Sequence, residues 1–253
     1  MDLGIRGRKA LVWGGSRGMG RAAAEALVRE GVEVTLAARK REVLEKAASE
    51  IGARAVVADL TTDGGRAAAL AACPQPDILI NNADGPAPGD FRQWEREDWL
   101  RTMDAVMLGP IFMMRAVVDG MIERKFGRIV NISARTVKSP QPEMGLSNGS
   151  RSGLIGFVAG LARQTVRHNV TINNLLPGVF DTDAQREHVK GIVQMTGRPF
   201  DEVWAERLRQ NPAGRYGRAE EAGAYIAFLC SAYAGFITGQ NVMIDGGQYP
   251  GTY

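Results

Sequence analysis

The feature that most constrains the fold of this chain is a repeated alternation between short apolar runs and helical patterns. The runs are apolar at consecutive positions, as in Ala10–Trp13 and Ile78–Ile80. A strand that is apolar on both faces needs cover on both faces, which the helices between strands of a parallel sheet supply. Right-handed crossovers then give a doubly wound sheet. The predicted strands are residues 10–13, 32–37, 54–58, 77–81, 127–133, 170–176 and 241–244.

Helical patterns fill the intervals between these strands. They predict helices over residues 21–29, 42–51, 62–72, 96–123, 146–168 and 219–231, and Pro110 predicts a bend in the fourth. No linker or repeat divides the chain, so we expect one domain over residues 1–253. Its fold class is α/β, a Rossmann-type doubly wound parallel sheet with helices on both faces. Residues 182–213 form a polar excursion with helical pieces before the last helix.

A glycine-rich loop, Gly14-Gly15-Ser16-Arg17-Gly18-Met19-Gly20, joins the first strand to the first helix. Glycine permits the tight turn and lets the backbone approach a pyrophosphate closely. The helix that follows offers free N–H groups and a partial positive charge to an anion. The loop therefore predicts a dinucleotide site, although a glycine pattern alone would equally fit a turn that binds nothing.

The end of the second strand distinguishes NADP(H) from NAD(H). An acidic residue there would hydrogen-bond the ribose 2′-OH of NAD(H), and the segment Ala37-Ala38-Arg39-Lys40 has none. Arg39 and Arg17 instead suit a 2′-phosphate, which guanidinium groups bind well. We therefore predict NADP(H) rather than NAD(H), against the alternative that Arg39 and Lys40 only begin a solvated helix.

Composition argues against several kinds of partner. The net charge of +3 is spread along the chain without a basic run, so we expect no nucleic-acid partner. We find no leader and no apolar stretch of membrane-spanning length, and expect a cytoplasmic protein without a membrane partner. Cys73 and Cys230 stand far apart with no metal-binding spacing, so we expect reduced thiols and no metal.

Several ordered motifs together resemble the short-chain dehydrogenase/reductase (SDR) family over essentially the whole chain. Besides the glycine loop they are Asp59-Leu60, Asn81-Asn82-Ala83, the strand 127–133, Pro177-Gly178-Val179-Phe180-Asp181-Thr182, and landmarks at 211–217 and 239–247. The resemblance is greatest to reductases of 3-oxoacyl carrier substrates. With the arginines above, it implies these cofactor-binding residues: Gly14, Ser16, Arg17, Gly18, Met19, Gly20, Arg39, Asp59, Leu60, Asn82, Ala83, Pro177, Gly178, Val179 and Thr182.

The same resemblance exposes a departure in the catalytic residues. The family uses an Asn, Ser, Tyr, Lys tetrad, and the segment Gly153–Phe157 fixes the register of this chain against it. The four positions then fall at Met107, Ala134, Ser147 and Arg151, with Ser133 just before the second. Trp13 and Asp84 also stand where the family has threonine and glycine.

The departure changes the acid–base chemistry available. A serine hydroxyl is a far weaker acid than a phenol, and arginine stays protonated where lysine can relay a proton. Arginine does stabilise an oxyanion or bind a carboxylate. We therefore predict Ser147, Arg151 and Ser133 as the catalytic residues that orient a carbonyl. Asp84 or His188 would supply an acid, unless they are merely a turn residue and an exposed residue of the excursion.

Three functions remain open on this sequence. The first is an NADP(H)-dependent oxidoreductase for a small carbonyl or hydroxyl compound with non-standard catalytic residues. The second is a lyase or aldol-type enzyme on the same scaffold, and the third is an NADP(H)-binding protein without turnover. The resemblance implies that residues 182–213 form a substrate lid and that the chain assembles as a homotetramer or homodimer. In that lid Arg186, Lys190 and Arg198 would attract an acidic substrate, or else form a solvated helix face.

Overall fold

A parallel sheet of seven strands forms the centre of the molecule. The computed structural model describes residues 2–252, so Met1 and Tyr253, the ends of the predicted domain, lie outside the described residues. The strand order is β3-β2-β1-β4-β5-β6-β7, and every neighbouring pair is parallel. The strands are β1 (Lys9–Trp13), β2 (Glu33–Ala38), β3 (Arg54–Val57), β4 (Ile78–Asn81), β5 (Gly127–Ile132), β6 (Val170–Pro177) and β7 (Asn241–Ile244).

Helices cover both faces of this sheet, as the apolar runs predict. The helices are α1 (Gly18–Arg29), α2 (Arg41–Ile51), α3 (Asp63–Ala72), α4 (Arg96–Met103), α5 (Gly109–Glu123), α6 (Gly145–Thr165), α7 (Asp183–Thr196), α8 (Phe200–Arg209) and α9 (Ala219–Leu229). Successive residues of one strand point to opposite faces, so Val12 joins the core beneath α1, α2 and α9 while Leu11 joins the core beneath α5 and α6. The α/β doubly wound fold is therefore confirmed.

The long helical stretch before β5 changes its hydrogen-bond pattern just before the proline. Asp104–Leu108 forms a wide π-helical turn between α4 and α5, and Pro110 lies in the first turn of α5. Proline has no N–H to donate to the preceding turn, so an irregular turn on the N-terminal side of the ring is expected. A bend at Pro110 stays a prediction, and the irregularity that the structure shows is the π-helical turn before it.

The same stretch corrects a second expectation. Arg96–Glu123, 28 residues, is long and apolar enough by length and composition to cross a membrane, contrary to our expectation that no stretch reaches that length. Such a helix is weak evidence for a membrane, because core helices of globular proteins meet the same criteria. Met113 and Val117 of α5 are in fact buried in the core beside Leu154 of α6.

Four asparagines form a hydrogen-bonded ladder across the sheet. Asn81, Asn131, Asn174 and Asn241 are register partners on β4, β5, β6 and β7. The Nδ2 of each of the first three donates to the Oδ1 of the next, at 2.9, 2.9 and 2.8 Å. Because a buried amide that loses its partner is costly, the ladder fixes the relative register of these strands.

Candidate functional site

A cleft of about 340 Å³ opens at the carboxyl ends of the strands. It lies where the chain, having wound outward from β1 through β2 to β3, returns to β4 on the other side of β1. Ligands of doubly wound sheets bind at this switch point, so the position of the cleft agrees with the prediction from the glycine loop.

The glycine loop borders the cleft in a shape that only glycine allows. Gly14 and Gly18 have φ of +62° and +56°, in the left-handed region. A Cβ on Gly20 would collide with the carbonyl oxygen of Gly14, which also accepts a 3.2 Å hydrogen bond from Asn82 Nδ2. No side chain caps the N-terminus of α1, and no acidic residue lies in its first turn. The free N–H groups and the open cradle therefore fit a pyrophosphate.

Most of the predicted cofactor-binding residues border this cleft. Those that do are Gly14, Ser16, Arg17, Gly18, Met19, Arg39, Asp59, Leu60, Asn82, Ala83 and Thr182. Gly20, Pro177, Gly178 and Val179 do not line it. Gly20 supports the loop from behind, and a Cβ on Gly178 would lie 2.6 Å from the Cβ of Asp245. These four therefore stay predictions as cofactor contacts, and their visible role is to let backbone segments pack closely.

Two arginines at the mouth of the cleft share one carboxylate. Arg17 Nη2 and Arg39 Nη2 lie 3.6 and 3.5 Å from the same Oδ2 of Asp84. All three side chains are well exposed, so the contacts contribute little to stability. They do show that the two guanidinium groups converge on one anionic group, as a 2′-phosphate would require. Asp84, weighed from the sequence as an acid for catalysis, is held at the mouth of the cleft by these contacts.

Arg151 closes the inner end of the cleft. Its guanidinium donates to Ile132 O at 3.1 Å and to Ala83 O at 3.5 Å, the backbone where β5 and β4 end. Burial lowers the pKa of Arg151 to about 10, against the opposing charge of Asp84, so the group stays cationic at neutral pH. It forms no ion pair with any residue in the described part of the chain. Arg151 thus presents a charge that a ligand oxyanion can use.

The two predicted serines have different places. Ser147 is 1% exposed, does not line the cleft, and accepts a 3.2 Å hydrogen bond from Arg151 Nε. Ser147 therefore stays a prediction as a catalytic residue, and in this geometry its hydroxyl contacts Arg151 rather than the cleft. Ser133 does line the cleft, and its buried Oγ has no hydrogen-bond partner among residues 2–252. A ligand oxygen would satisfy that hydroxyl.

The remaining departures from the tetrad also have definite places. Met107 packs its sulfur against Gly153 of α6, and the residue of the π-helical turn that lines the cleft is Ala105. Ala134 is absent from the lining, whereas Trp13 is part of it with a buried Nε1 that lacks a partner in the described structure. No phenol or imidazole lines the cleft among these residues, so the structure offers no evident replacement for the tyrosine.

The cations predicted to attract an acidic substrate are neutralised within the excursion itself. Arg186 pairs with Asp181, Lys190 with Glu187 and Arg198 with Glu202, each at 2.7 Å. The alternative, a solvated helix face, is the better description of all three. Sequence reasoning instead passed over two arginines outside this set, Arg135 and Arg207. A buried position for Arg135 was foreseeable, because it lies two residues after Ser133. Nothing in the sequence indicates that Arg207 lies near it.

His188 is not an exposed residue of the excursion. It lies on α7 with a buried Nε2 that has no partner in the described residues. Burial, with the nearby charge of Arg207, lowers the pKa of His188 from 6.5 to about 4. The imidazole is therefore neutral at pH 7 and cannot act as the acid that the sequence suggested.

This shift predicts an acid-sensitive fold. The unfolded chain protonates His188 near pH 6.5 and the folded chain only near pH 4, so stability falls as pH drops through that interval. We expect His188→Gln to remove about 2 kcal/mol of the stability difference between pH 7.5 and pH 5. Urea unfolding of both proteins at the two pH values measures it. Equal losses in the variant and the wild type would contradict the assignment.

Comparison with known proteins places this geometry in context. A family model described as Enoyl-(Acyl carrier protein) reductase matches residues 14–248. The chain is 31% identical to 3-oxoacyl-[acyl-carrier-protein] reductase FabG of Vibrio cholerae serotype O1, over 98% of this chain and 99% of that one. It is 32% identical to gluconate 5-dehydrogenase of Gluconobacter oxydans, over 96% and 95%. The crystal structure of YwfH, an NADPH dependent reductase involved in bacilysin biosynthesis, superposes with a TM-score of 0.89 at 29% identity, over 97% and 99%.

Proposed function

Because the chain belongs to the short-chain dehydrogenase/reductase family, we propose that it is an NADP(H)-dependent oxidoreductase of a small carbonyl or hydroxyl compound. Its catalytic residues differ from those of the family pattern. Its cofactor is NADP(H) rather than NAD(H), in agreement with similar structures such as the NADPH dependent reductase YwfH. The chemistry at the inner end of the cleft depends on Arg151 and Ser133.

One observation carries this proposal. A single cleft combines the open glycine cradle, the converging Arg17 and Arg39 at its mouth, and, at its inner end, the cationic Arg151 and the hydroxyl of Ser133, which has no partner among residues 2–252. A dinucleotide bound with its pyrophosphate on α1 and its 2′-phosphate on the two arginines would direct its other end inward. Bound NADPH supplies a hydride there.

The residues of the inner end can then act on a carbonyl oxygen. Ser133 Oγ donates a hydrogen bond to it, and the fixed positive charge of Arg151 stabilises the oxyanion that develops. Ser147 acts through Arg151 as a positioning residue, since it holds Nε from behind. Arg151 retains its proton at neutral pH, and no phenol or imidazole lines the cleft among the described residues. The proton therefore comes from solvent or from the substrate itself.

Two further parts of the proposal concern the substrate lid and the oligomeric state. We infer that residues 182–213, with α7 and α8, form the substrate lid, because Thr182, Asp183 and Ala184 border the cleft. We also infer assembly as a homotetramer or homodimer. Exposed apolar side chains on α4, α5 and α6 support it: Trp99, Leu100, Phe112 and Phe157.

Calorimetric titration with NADPH and NADH tests the proposal. We expect micromolar binding of NADPH and weaker binding of NADH, because only NADPH offers a phosphate to Arg17 and Arg39. The absence of binding by either nucleotide would overturn the proposal and leave a cofactor-free activity, such as that of a lyase, around Arg151.

A second candidate function has one observation in its favour. Among residues 2–252 no phenol or imidazole lines the inner end of the cleft, and Trp13 lines it where the family has threonine. A protein that binds NADP(H) without turnover would keep the cradle and lose the acid. Tight NADPH binding, with no oxidation of NADPH by any carbonyl compound offered, would identify that function.

A further inference from the structure

Arg135 is buried without a side-chain partner in the described structure, and it lies two residues after Ser133, which lines the cleft. It begins a short helical turn, Arg135–Val137, directly after β5, and its side chain is 6% exposed. Its Nε is enclosed, and the guanidinium makes no hydrogen bond or ion pair with any residue between 2 and 252. Burial lowers the pKa of Arg135, and Asp245 opposes the shift. The Asp245 carboxylate, however, already accepts from the amides of Gly247 and Tyr249.

Arg207 faces Arg135 from the lid. It lies on α8 with an enclosed Nε that likewise has no partner within the described chain. Burial lowers the pKa of Arg207; Tyr216 opposes this, while the charge of Arg135 lowers it further, so the two cations lie within electrostatic range. Glu143 and Glu206 raise the same pKa, but neither carboxylate forms an ion pair with Arg207 in the described part of the chain.

The backbone directs Arg135 toward the substrate side of the cleft. Ala134, between Ser133 and Arg135, is extended, with φ −156° and ψ 149°. Side chains that flank an extended residue project to the same side, about 7 Å apart along the chain. Ser133 lines the cleft, so Arg135 extends from the same side at a separation that suits a short acid with a nearby carbonyl.

Arg135 is buried and Arg207 is half-buried, and neither forms an ion pair in the described part of the chain, which is costly for a fold to keep. Other arginines of the lid show how the chain usually avoids that cost, because Arg186 and Arg198 each contact an acidic neighbour. Because Arg135 extends from the same side of the chain as Ser133, which lines the cleft, the missing counter-charge is best supplied by a ligand.

We propose that Arg135 and Arg207 bind an oxyanion of the substrate between the end of β5 and α8. The oxyanion is a carboxylate or a phosphate ester, and the neutral imidazole of His188 adds a hydrogen-bonding group beside it. This inference rests on the proposed function and names its substrate class. The substrate is an anionic carbonyl or hydroxyl compound whose reacting carbon lies toward Ser133 and whose charge lies toward the lid.

Anion binding to the full-length protein tests this site. Calorimetric titrations would use succinate, inorganic phosphate and the neutral analogue succinamide, with and without NADP⁺. We expect one oxyanion to bind per chain and succinamide not to bind. Arg135→Gln and Arg207→Gln should each weaken the anion at least about tenfold, as loss of a charged hydrogen bond does. Preference for succinate would identify a carboxylate, and preference for phosphate a phosphate ester.

The matched control is Arg163→Gln, an exposed arginine of α6, which should change anion binding less than about twofold. Affinity for NADPH should stay unchanged in all three variants. Anion binding that survives at Arg135→Gln and Arg207→Gln, or that depends only on Arg151, overturns the site. A wild-type chain that binds succinate through these arginines but binds neither nucleotide overturns the proposed function and leaves the anion site standing.

Stability gives an independent measurement. Replacing an unpaired buried cation by an apolar side chain of similar length should stabilise the free protein. We expect Arg135→Met to raise the melting temperature by about 2–4 °C without anion. Succinate should then raise the melting temperature of the wild type but not of the variant. An equal rise in both proteins would overturn the site even if the glutamine variants fold poorly.

Discussion

The double variant Ser147→Tyr with Arg151→Lys is expected to reduce carbonyl compounds with NADPH about 100-fold faster than the wild type. General acid catalysis by a positioned group contributes about 10²–10⁴ in rate, and no phenol or imidazole of the described residues lines this cleft. A lysine four residues after the tyrosine lowers the phenol pKa toward neutrality. Both changes are needed, because Ser147 is 1% exposed and the Arg151 side chain covers it. Initial rates of NADPH oxidation with ethyl acetoacetate measure the effect.

The matched control is Ser147→Phe with Arg151→Lys, which supplies the same bulk without the hydroxyl. It should show no gain in rate while binding NADPH as well as the tyrosine variant does. If neither variant gains activity although both bind NADPH, the missing proton donor is not the only obstacle. Ala134, where the family has serine, would then be the next position to restore.

Arg39→Asp is expected to weaken NADPH binding about 10- to 100-fold and to favour NADH relatively. The substitution removes charge-assisted hydrogen bonds to the 2′-phosphate, each of about 1.5–3 kcal/mol, and provides an acceptor for a ribose hydroxyl. The existing carboxylate of Asp84, 3.5 Å from Arg39, would add repulsion toward the phosphate. Calorimetric dissociation constants for both nucleotides give the ratio.

Two further variants make this prediction specific. Arg41→Asp reverses a neighbouring charge that is paired with Glu45 and does not line the cleft, so it should leave the preference within about twofold. Asp84→Asn should act in the opposite direction and tighten NADPH, because it frees Arg17 and Arg39 from their shared carboxylate. An unchanged preference in Arg39→Asp would refute the 2′-phosphate assignment.

The sheet was predictable because its signal is local and strong. A run such as Ile78–Ile80, apolar at consecutive positions and bounded by polar residues, can be satisfied only by cover on both faces. An irregular turn near Pro110 was predictable in kind, because the sequence shows which N–H is missing. Its place at Asp104–Leu108, where Met107 packs against α6, was not visible in the sequence.

The site was less predictable, for reasons that depend on side-chain length and on distance along the chain. Ser147 and Arg151 lie one helical turn apart on the same face, so spacing alone could not say which of them reaches the cleft. The neutralised cations could have been recognised, since Arg198 precedes Glu202 by four residues. The approach of Arg207 to Arg135 joins a lid helix to a strand end, and only the folded chain brings them together.

The asparagine ladder holds the sheet together and includes none of the residues that would act on the substrate. All four amides point in one direction, and together they tie strands from β4 to β7 whose ends carry Asn82 and Ser133. Neither Arg151 nor Ser147 belongs to the ladder. Residues of the cleft that lie outside the ladder can therefore be exchanged while the backbone of the glycine cradle keeps its position. A chain built in this way can lose one acid and acquire another charge while its nucleotide stays in the same place.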